Sequence, residues 1–188
     1  MASRYGDISR VHTTGASEET ARADGRSSSG VSASHEMAAS DLPYIDQHKD
    51  KIMSAADSHG VDPAIVAGII SRETRGGRGQ GLHGGWGDHG NAYGLMQVDK
   101  RWHKPRGGWD SEDHISQGIG VFKGSYSDIE RRHPDWSKDQ KLKGALSAYN
   151  MGAGSVDSYE QVDARTTGRD YANDVAARSQ YFKTHGYN

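Results

Sequence analysis

The chain has 188 residues, no cysteine and a formal net charge of −2 at pH 7. The absence of cysteine excludes disulfides, thiol catalysis and cysteine-based zinc sites. The balanced charge argues against nucleic acid as a partner, since such binding needs a concentrated basic surface, and no stretch approaches the roughly 18 apolar residues of a membrane span. We therefore expect a single domain, 1–188, with no nucleic-acid or membrane partner.

The first half of the chain predicts an irregular arm followed by three helices. Residues 1–30 are rich in Ser, Gly, Thr and charge, which favours an ordered but irregular N-terminal arm. A short helix is predicted over 32–40, and a second begins at Asp41 as its cap and ends at Gly60. The third begins after Asp62 and continues to about residue 73.

The second half predicts a small β region and three more helices. Glycine is dense over 76–94, which is typical of loops, and "AYGLMQVD" has a short β pattern. Helices are predicted over 111–132, after the capping box of Ser137 and Gln140, and over 169–186. The sequence therefore predicts an α+β fold that is mainly α, with one small β-sheet.

A glutamate follows the most apolar helix of the chain. Ala64–Ile70 predict burial around most of that helix, and Glu73 lies at its end. A desolvated carboxyl has a raised pKa, which is the state of a general acid near neutral pH. The alternative is a glutamate that has emerged into solvent or pairs with Arg72 or Arg75, and the spacing alone favours this alternative.

Two aspartates downstream are candidate partners of Glu73. Asp88 lies between two turn residues, and Asp99 ends the predicted strand. If the β segment folds back on the helix end, the three carboxyls provide the acid and base of glycoside hydrolysis. The alternative for Asp88 is ordinary turn chemistry.

Other chemistries find little support in the sequence. "GQGLHG", 79–84, follows a helix rather than a strand, so it does not predict a dinucleotide site. The histidines lack the H-E-x-x-H spacing, so we expect neither a metal nor a cofactor. Several aromatic residues near the candidate carboxylates suit sugar stacking or a cleft wall: Trp86, Tyr93, Trp102, Trp109, Tyr149 and Tyr171.

Six ordered segments together resemble the goose-type lysozyme family. They are "GIISRE", "GWGD", "YGLMQVDKR", "HKP", "LKGALSAYNMGAGSV" and "DYANDVAAR", and the likeness extends over essentially the whole chain. The resemblance implies a lysozyme-like fold with a small β-sheet beside the cleft. It also implies a bacteriolytic, antibacterial enzyme that cleaves the β-1,4 bond between N-acetylmuramic acid and N-acetylglucosamine in peptidoglycan, with inversion.

The resemblance also assigns roles to individual residues. It makes Glu73 the general acid, and Asp88 and Asp99 the residues that hold or activate water. The residues that it places along the sugar cleft are Gln97, His103, Tyr149, Asn150 and Tyr171. The implied partners are peptidoglycan and N-acetylglucosamine oligosaccharides, bound by a monomer.

The chain departs from the avian pattern in its cysteines. The four cysteines of those relatives correspond here to Arg4, Glu18, Ser29 and Gly60, as in the cysteine-free branch found in some fish. Each missing bridge would contribute roughly 2–4 kcal/mol, so other packing has to hold the arm.

Two rival functions and the site of action stay open at this point. A lytic transglycosylase would cleave the same bond without a water-directing aspartate, and a peptidoglycan- or chitin-binding protein would not cleave it. The first ten residues, "MASRYGDISR", lack the apolar segment of a secretory signal. We expect action outside the cell or release from immune cells, with cytoplasmic storage as the alternative.

Overall fold

The computed structural model describes residues 3–188. That part of the chain contains seven α-helices: α1 (Glu18–Ala23), α2 (Val31–Asp46), α3 (Lys49–His59), α4 (Pro63–Thr74), α5 (Glu112–Arg132), α6 (Lys138–Met151) and α7 (Tyr171–Lys183). Its three short strands are β1 (Trp86–Gly87), β2 (Ala92–Tyr93) and β3 (Val98–Asp99). The predicted α+β, mainly α class is confirmed. None of the helices within 3–188 has the length and apolar character to cross a membrane.

Helix α4 lies at the centre of the molecule. It packs against α2, α3 and α7, and every residue from Ala64 to Ser71 is buried. The helix begins as predicted, since Asp62 accepts a hydrogen bond from the amide of Ala64 at 2.9 Å and Pro63 occupies the first turn. It ends where Arg75 adopts a left-handed conformation, with φ of 55°.

The predicted helix boundary at Asp41 is wrong. Residues 31–46 form one continuous helix, α2, and Asp41 is fully buried within it. Its carboxylate accepts hydrogen bonds from Ser71 Oγ at 2.6 Å and from Arg78 Nη2 at 2.8 Å, so tertiary contacts satisfy it instead of a helix terminus. Pro43 removes one backbone donor, and the helix ends three residues later at Asp46.

The predicted β region is a three-stranded antiparallel sheet in the order β1-β2-β3. Trp86 pairs with Tyr93, and Tyr93 with Val98. The pairing of Ala92 with Asp99 brings the end of β3 beside the turn that follows β1. Asp88 and Asp99 therefore lie at neighbouring ends of the sheet's two outer strands.

The three C-terminal helices form the other wall of the molecule. The predicted capping box is present, because Ser137 and Gln140 exchange hydrogen bonds at the start of α6. Helix α7 begins over the carboxylate of Asp163, which accepts from the amides of Ala172 at 2.8 Å and Asn173 at 2.9 Å. Helix α6 packs between α5 and α7, so its end and the start of α7 meet beside the end of α4.

Hydrogen bonds and apolar packing hold the cysteine-free arm. Tyr5, Ile8 and Val11 are buried in the main core. The side chain of Gln180 donates to the carbonyls of Ile8 at 3.0 Å and Val11 at 2.8 Å. Further bonds tie the arm to α6 and α7: Lys143 to the carbonyl of His12, the amide of Asp7 to Asp139, and the amide of Ser17 to Asp170.

Candidate active site

A cleft of about 900 Å³ lies between the sheet, the end of α4 and helices α5, α6 and α7. Its lining includes every residue that the sequence analysis assigned to a site: Glu73, Asp88, Gln97, Asp99, His103, Tyr149, Asn150 and Tyr171. Residues separated by almost 100 positions in the chain therefore share one cavity.

Glu73 is partly buried in the last turn of α4, directly above the core. Burial raises its pKa to about 7, from 4.5, and the negative charge of Asp88 contributes in the same direction. A hydrogen bond from the hydroxyl of Tyr171 to Glu73 Oε2, at 2.7 Å, and the charge of Arg72 oppose this rise only in part. The carboxyl is thus substantially protonated near neutral pH.

Arg72 is engaged elsewhere and does not form an ion pair with Glu73. Its Nη1 donates to Asp170 at 3.0 Å and to Asp174 at 2.7 Å, and its Nη2 donates to the carbonyl of Thr167 at 2.9 Å. Arg75 is directed to Asp24, at 2.9 Å. The ion-pair alternative for Glu73 therefore has no support among residues 3–188.

Asp88 occupies a strained turn at the end of β1. Its φ is 51°, a left-handed conformation that non-glycine residues rarely adopt, and the next residue, His89, has φ of 55°. The Asp88 side chain is 58% exposed and faces the cleft. Strained backbone of this kind occurs at functional sites, where the surrounding fold over-determines it.

Asp99 is held by Arg101, a residue that the sequence analysis missed. Asp99 Oδ1 accepts from the amide and from Nε of Arg101, both at 2.9 Å, and Oδ2 accepts from Nη2 at 2.6 Å. These bonds hold the pKa of Asp99 below its ordinary value. Arg101 lies in the turn that follows β3, where the Asp99 carboxylate accepts from its backbone amide as well as from its side chain.

Two tyrosines and an asparagine form the wall next to Glu73. Tyr171 is buried and donates to the glutamate, as described above. The hydroxyl of Tyr149 donates to the carbonyl of Met96 at 2.6 Å, which ties α6 to the segment before β3. Asn150 accepts from the amide of Thr167 at 3.0 Å, so its amide nitrogen is free to contact a ligand.

Gln97 and His103 lie on the sheet side of the cleft. Gln97 adopts φ of 51° and donates to the carbonyl of Gly94 at 2.9 Å. A Cβ at Gly87 would lie 2.3 Å from Gln97 Oε1, so the glycine leaves room for the side-chain amide of Gln97 beside β1. His103 is exposed at the rim, and its amide donates to the carbonyl of Asp99.

The aromatic residues divide into cleft and packing positions. Trp102 lines the cleft and is 81% exposed, in addition to Tyr149 and Tyr171. Trp86 and Tyr93 pack on each other with ring centroids 4.7 Å apart, outside the cleft lining. Met151, which the sequence analysis did not single out, is a further exposed apolar residue of the lining.

The cleft contains the groups that acid–base catalysis on a polar polymer requires. A protonated carboxyl, two carboxylates and several hydrogen-bonding side chains face one open cleft. Within residues 3–188, no group of three or more histidine or carboxylate side chains is placed to hold a metal ion. A carboxyl that is neutral beside carboxylates that are ionised is the combination needed to protonate a leaving group and direct water.

Comparisons with known proteins find one family over nearly the whole chain. The model of the family "Lysozyme g" matches residues 5–186. A lysozyme g of Casuarius casuarius is 49% identical over 97% of this chain and 98% of its own length. Lysozymes g of Gallus gallus and Cyprinus carpio are 50% and 44% identical, over 97% and 100% of this chain and 86% and 100% of their own lengths.

Proposed function

Since the chain belongs to the lysozyme g family, we infer that it is a peptidoglycan hydrolase. The bond that it cleaves is the β-1,4 bond between N-acetylmuramic acid and N-acetylglucosamine in the bacterial wall. The observation that carries this inference in the molecule itself is the carboxyl of Glu73, whose burial raises its pKa to about 7 in an open cleft.

We assign the general acid to Glu73. A sugar alkoxide is a poor leaving group, and a proton delivered to the glycosidic oxygen as the bond breaks removes this obstacle. The hydroxyl of Tyr171, 2.7 Å from Oε2, stabilises the carboxylate that remains after the transfer. Burial favours the protonated form of Glu73 before the reaction, and Arg72, which is bound by Asp170 and Asp174, forms no ion pair that would ionise it.

We assign the direction of water to Asp88 and Asp99 together. Both line the cleft on the sheet side, whereas Glu73 lies at the end of α4. A water between them and the sugar adds its oxygen to the anomeric carbon and gives its proton to a carboxylate. The bond between the anomeric carbon and the leaving oxygen breaks, and its electron pair stays on that oxygen, which takes the proton of Glu73. One proton exchange with solvent then returns the glutamate and the aspartate to their starting states.

We propose a single displacement, in which a water lies between the anomeric carbon and the two aspartates. No glycosyl-enzyme intermediate is then formed, and a β-linked substrate gives an α-anomer. Sugar binding is assigned to Gln97, His103, Tyr149, Asn150 and Tyr171, which offer amide, imidazole and hydroxyl groups along the cleft. We further propose that the protein acts as a monomer, outside the cell or after release from immune cells, where bacterial wall is its substrate.

Digestion of purified peptidoglycan tests this function. The expected products carry reducing N-acetylmuramic acid ends, and mass spectrometry distinguishes them from the anhydro ends that a lytic transglycosylase leaves. A suspension of Gram-positive cells should lose turbidity in parallel. Anhydro ends would show that the protein is a lytic transglycosylase and not a hydrolase. Binding to peptidoglycan without any release of fragments would show that it is a non-catalytic wall-binding protein.

A further inference from the structure

The guanidinium of Arg101 lies between the two aspartates of the cleft. Its Nε and Nη2 donate to the two oxygens of Asp99 at 2.9 and 2.6 Å, which makes this contact bidentate. The same Nη2 is 3.8 Å from Oδ2 of Asp88. One cation thus reaches carboxylates that come from the two outer strands of the sheet.

Two carboxylates that converge on one water repel each other. Without a cation between them, this repulsion would drive the two side chains apart. A guanidinium is suited to prevent this, because it is always charged and its planar fork fixes the orientation of a carboxylate through two parallel bonds.

We propose that Arg101 is a positioning residue of the hydrolytic site. It clamps Asp99 in one orientation and attracts Asp88 to the same point, so that both aspartates act as anions on a single water. The proposal rests on the proposed function, since it concerns the water that this function requires. It assigns to Arg101 no contact with the reacting atoms.

The pair Arg101–Asp99 also sets the acidic limit of the pH range in which the site is active. The hydrogen bonds from Arg101 keep the pKa of Asp99 low, while burial keeps Glu73 protonated up to about 7. Acid and base are therefore in their working states together over a wide interval. The other charged or titratable groups of the cleft lining are Arg72, Asp88, His103, Asp128, Tyr149 and Tyr171.

Two variants separate charge from geometry. Arg101→Gln removes both, and we expect kcat to fall about tenfold or more with KM changed less than about twofold. The acidic limb of the pH–rate profile should move to higher pH, because Asp99 then loses the hydrogen bonds that lower its pKa. Arg101→Lys keeps the charge and loses the fork, so it should restore the acidic limb while kcat remains reduced.

Arg165→Gln is the matched control. Arg165 is 59% exposed and pairs with Asp157 at 3.1 Å outside the cleft lining, and Arg101 is 56% exposed. This variant should behave like the parent. Because His103 also lowers the pKa of Asp99, the shift of the acidic limb has to persist in a His103→Gln background.

The outcomes separate this proposal from the function on which it rests. An inactive parent protein would contradict the proposed function. An active parent whose kcat and acidic limb are unchanged by Arg101→Gln would contradict the positioning role alone. A loss confined to KM would also overturn it, because Arg101 would then contact substrate instead of orienting the aspartates.

Discussion

Glu73→Gln should stabilise the folded protein at neutral pH, and the gain should depend on pH. The amide keeps the size of the side chain and its ability to accept from Tyr171, but it never carries a charge. In the parent, the pKa of Glu73 rises from 4.5 to about 7 on folding, because burial penalises the carboxylate. Folding therefore favours the protonated form, and the stability that this provides is lost as the pH rises through about 7.

The magnitude follows from the two pKa values. At about 1.4 kcal/mol for each pKa unit, ionised Glu73 lowers the free energy of unfolding by up to about 3 kcal/mol. At pH 4 Glu73 is protonated, so its ionisation should cause little difference between the free energies of unfolding of the parent and the variant. By pH 8 the variant should be the more stable protein, by up to about 3 kcal/mol.

Urea unfolding of both proteins between pH 4 and 8, followed by circular dichroism, measures this difference. Other titrating groups, such as buried His114 with a pKa of about 4, affect both proteins equally and cancel. Glu36→Gln, at an exposed position of α2, is the control and should show no pH-dependent gain. If the difference between Glu73→Gln and the parent is the same at pH 4 and pH 8, the argument from burial is wrong.

Three further predictions concern the reaction. Tyr171→Phe removes the hydrogen bond that stabilises ionised Glu73, so the alkaline limb of the pH–rate profile should move to higher pH; an unchanged or lower limb would contradict this. Asp88→Asn and Asp99→Asn should each leave some activity and the double variant much less, whereas a double variant as active as the weaker single one would end the shared-base assignment. Proton NMR of a fresh digest should detect the α-anomer first. An initial β-anomer, or a sugar ester on either aspartate, would show that a carboxylate and not water attacks the sugar.

Local signals in the sequence were sufficient to predict most of the helices. The start of α4 at Asp62 and Pro63 and the capping box at Ser137 depend on contacts within four residues, and both are present. The continuous helix α2 was missed because Asp41 also suits a helix start. Only the tertiary contacts of its carboxylate with Ser71 and Arg78, which no local pattern encodes, decide the outcome.

The residues that line the cleft were predictable from the sequence, and their electrostatics were less so. The apolar helix that ends in a carboxyl made Glu73 a candidate, and its role, like most of the remaining residues, came from the family resemblance. The engagement of Arg72 by Asp170 and Asp174 could not be read from the sequence, because the aspartates lie 98 and 102 positions away from it. The same holds for the approach of Arg101 to Asp88, which depends on the pairing of three two-residue strands.

The rate of peptidoglycan hydrolysis by Glu73→Gln, beside the parent and the Glu36→Gln control, tests most directly whether the buried carboxyl is the proton donor. An amide cannot deliver that proton, so the account predicts a loss of about 100-fold or more, with an unchanged circular dichroism spectrum. The control should hydrolyse at the parent rate. A folded Glu73→Gln variant that retains more than about one tenth of the parent rate would contradict the assignment of Glu73 as the general acid.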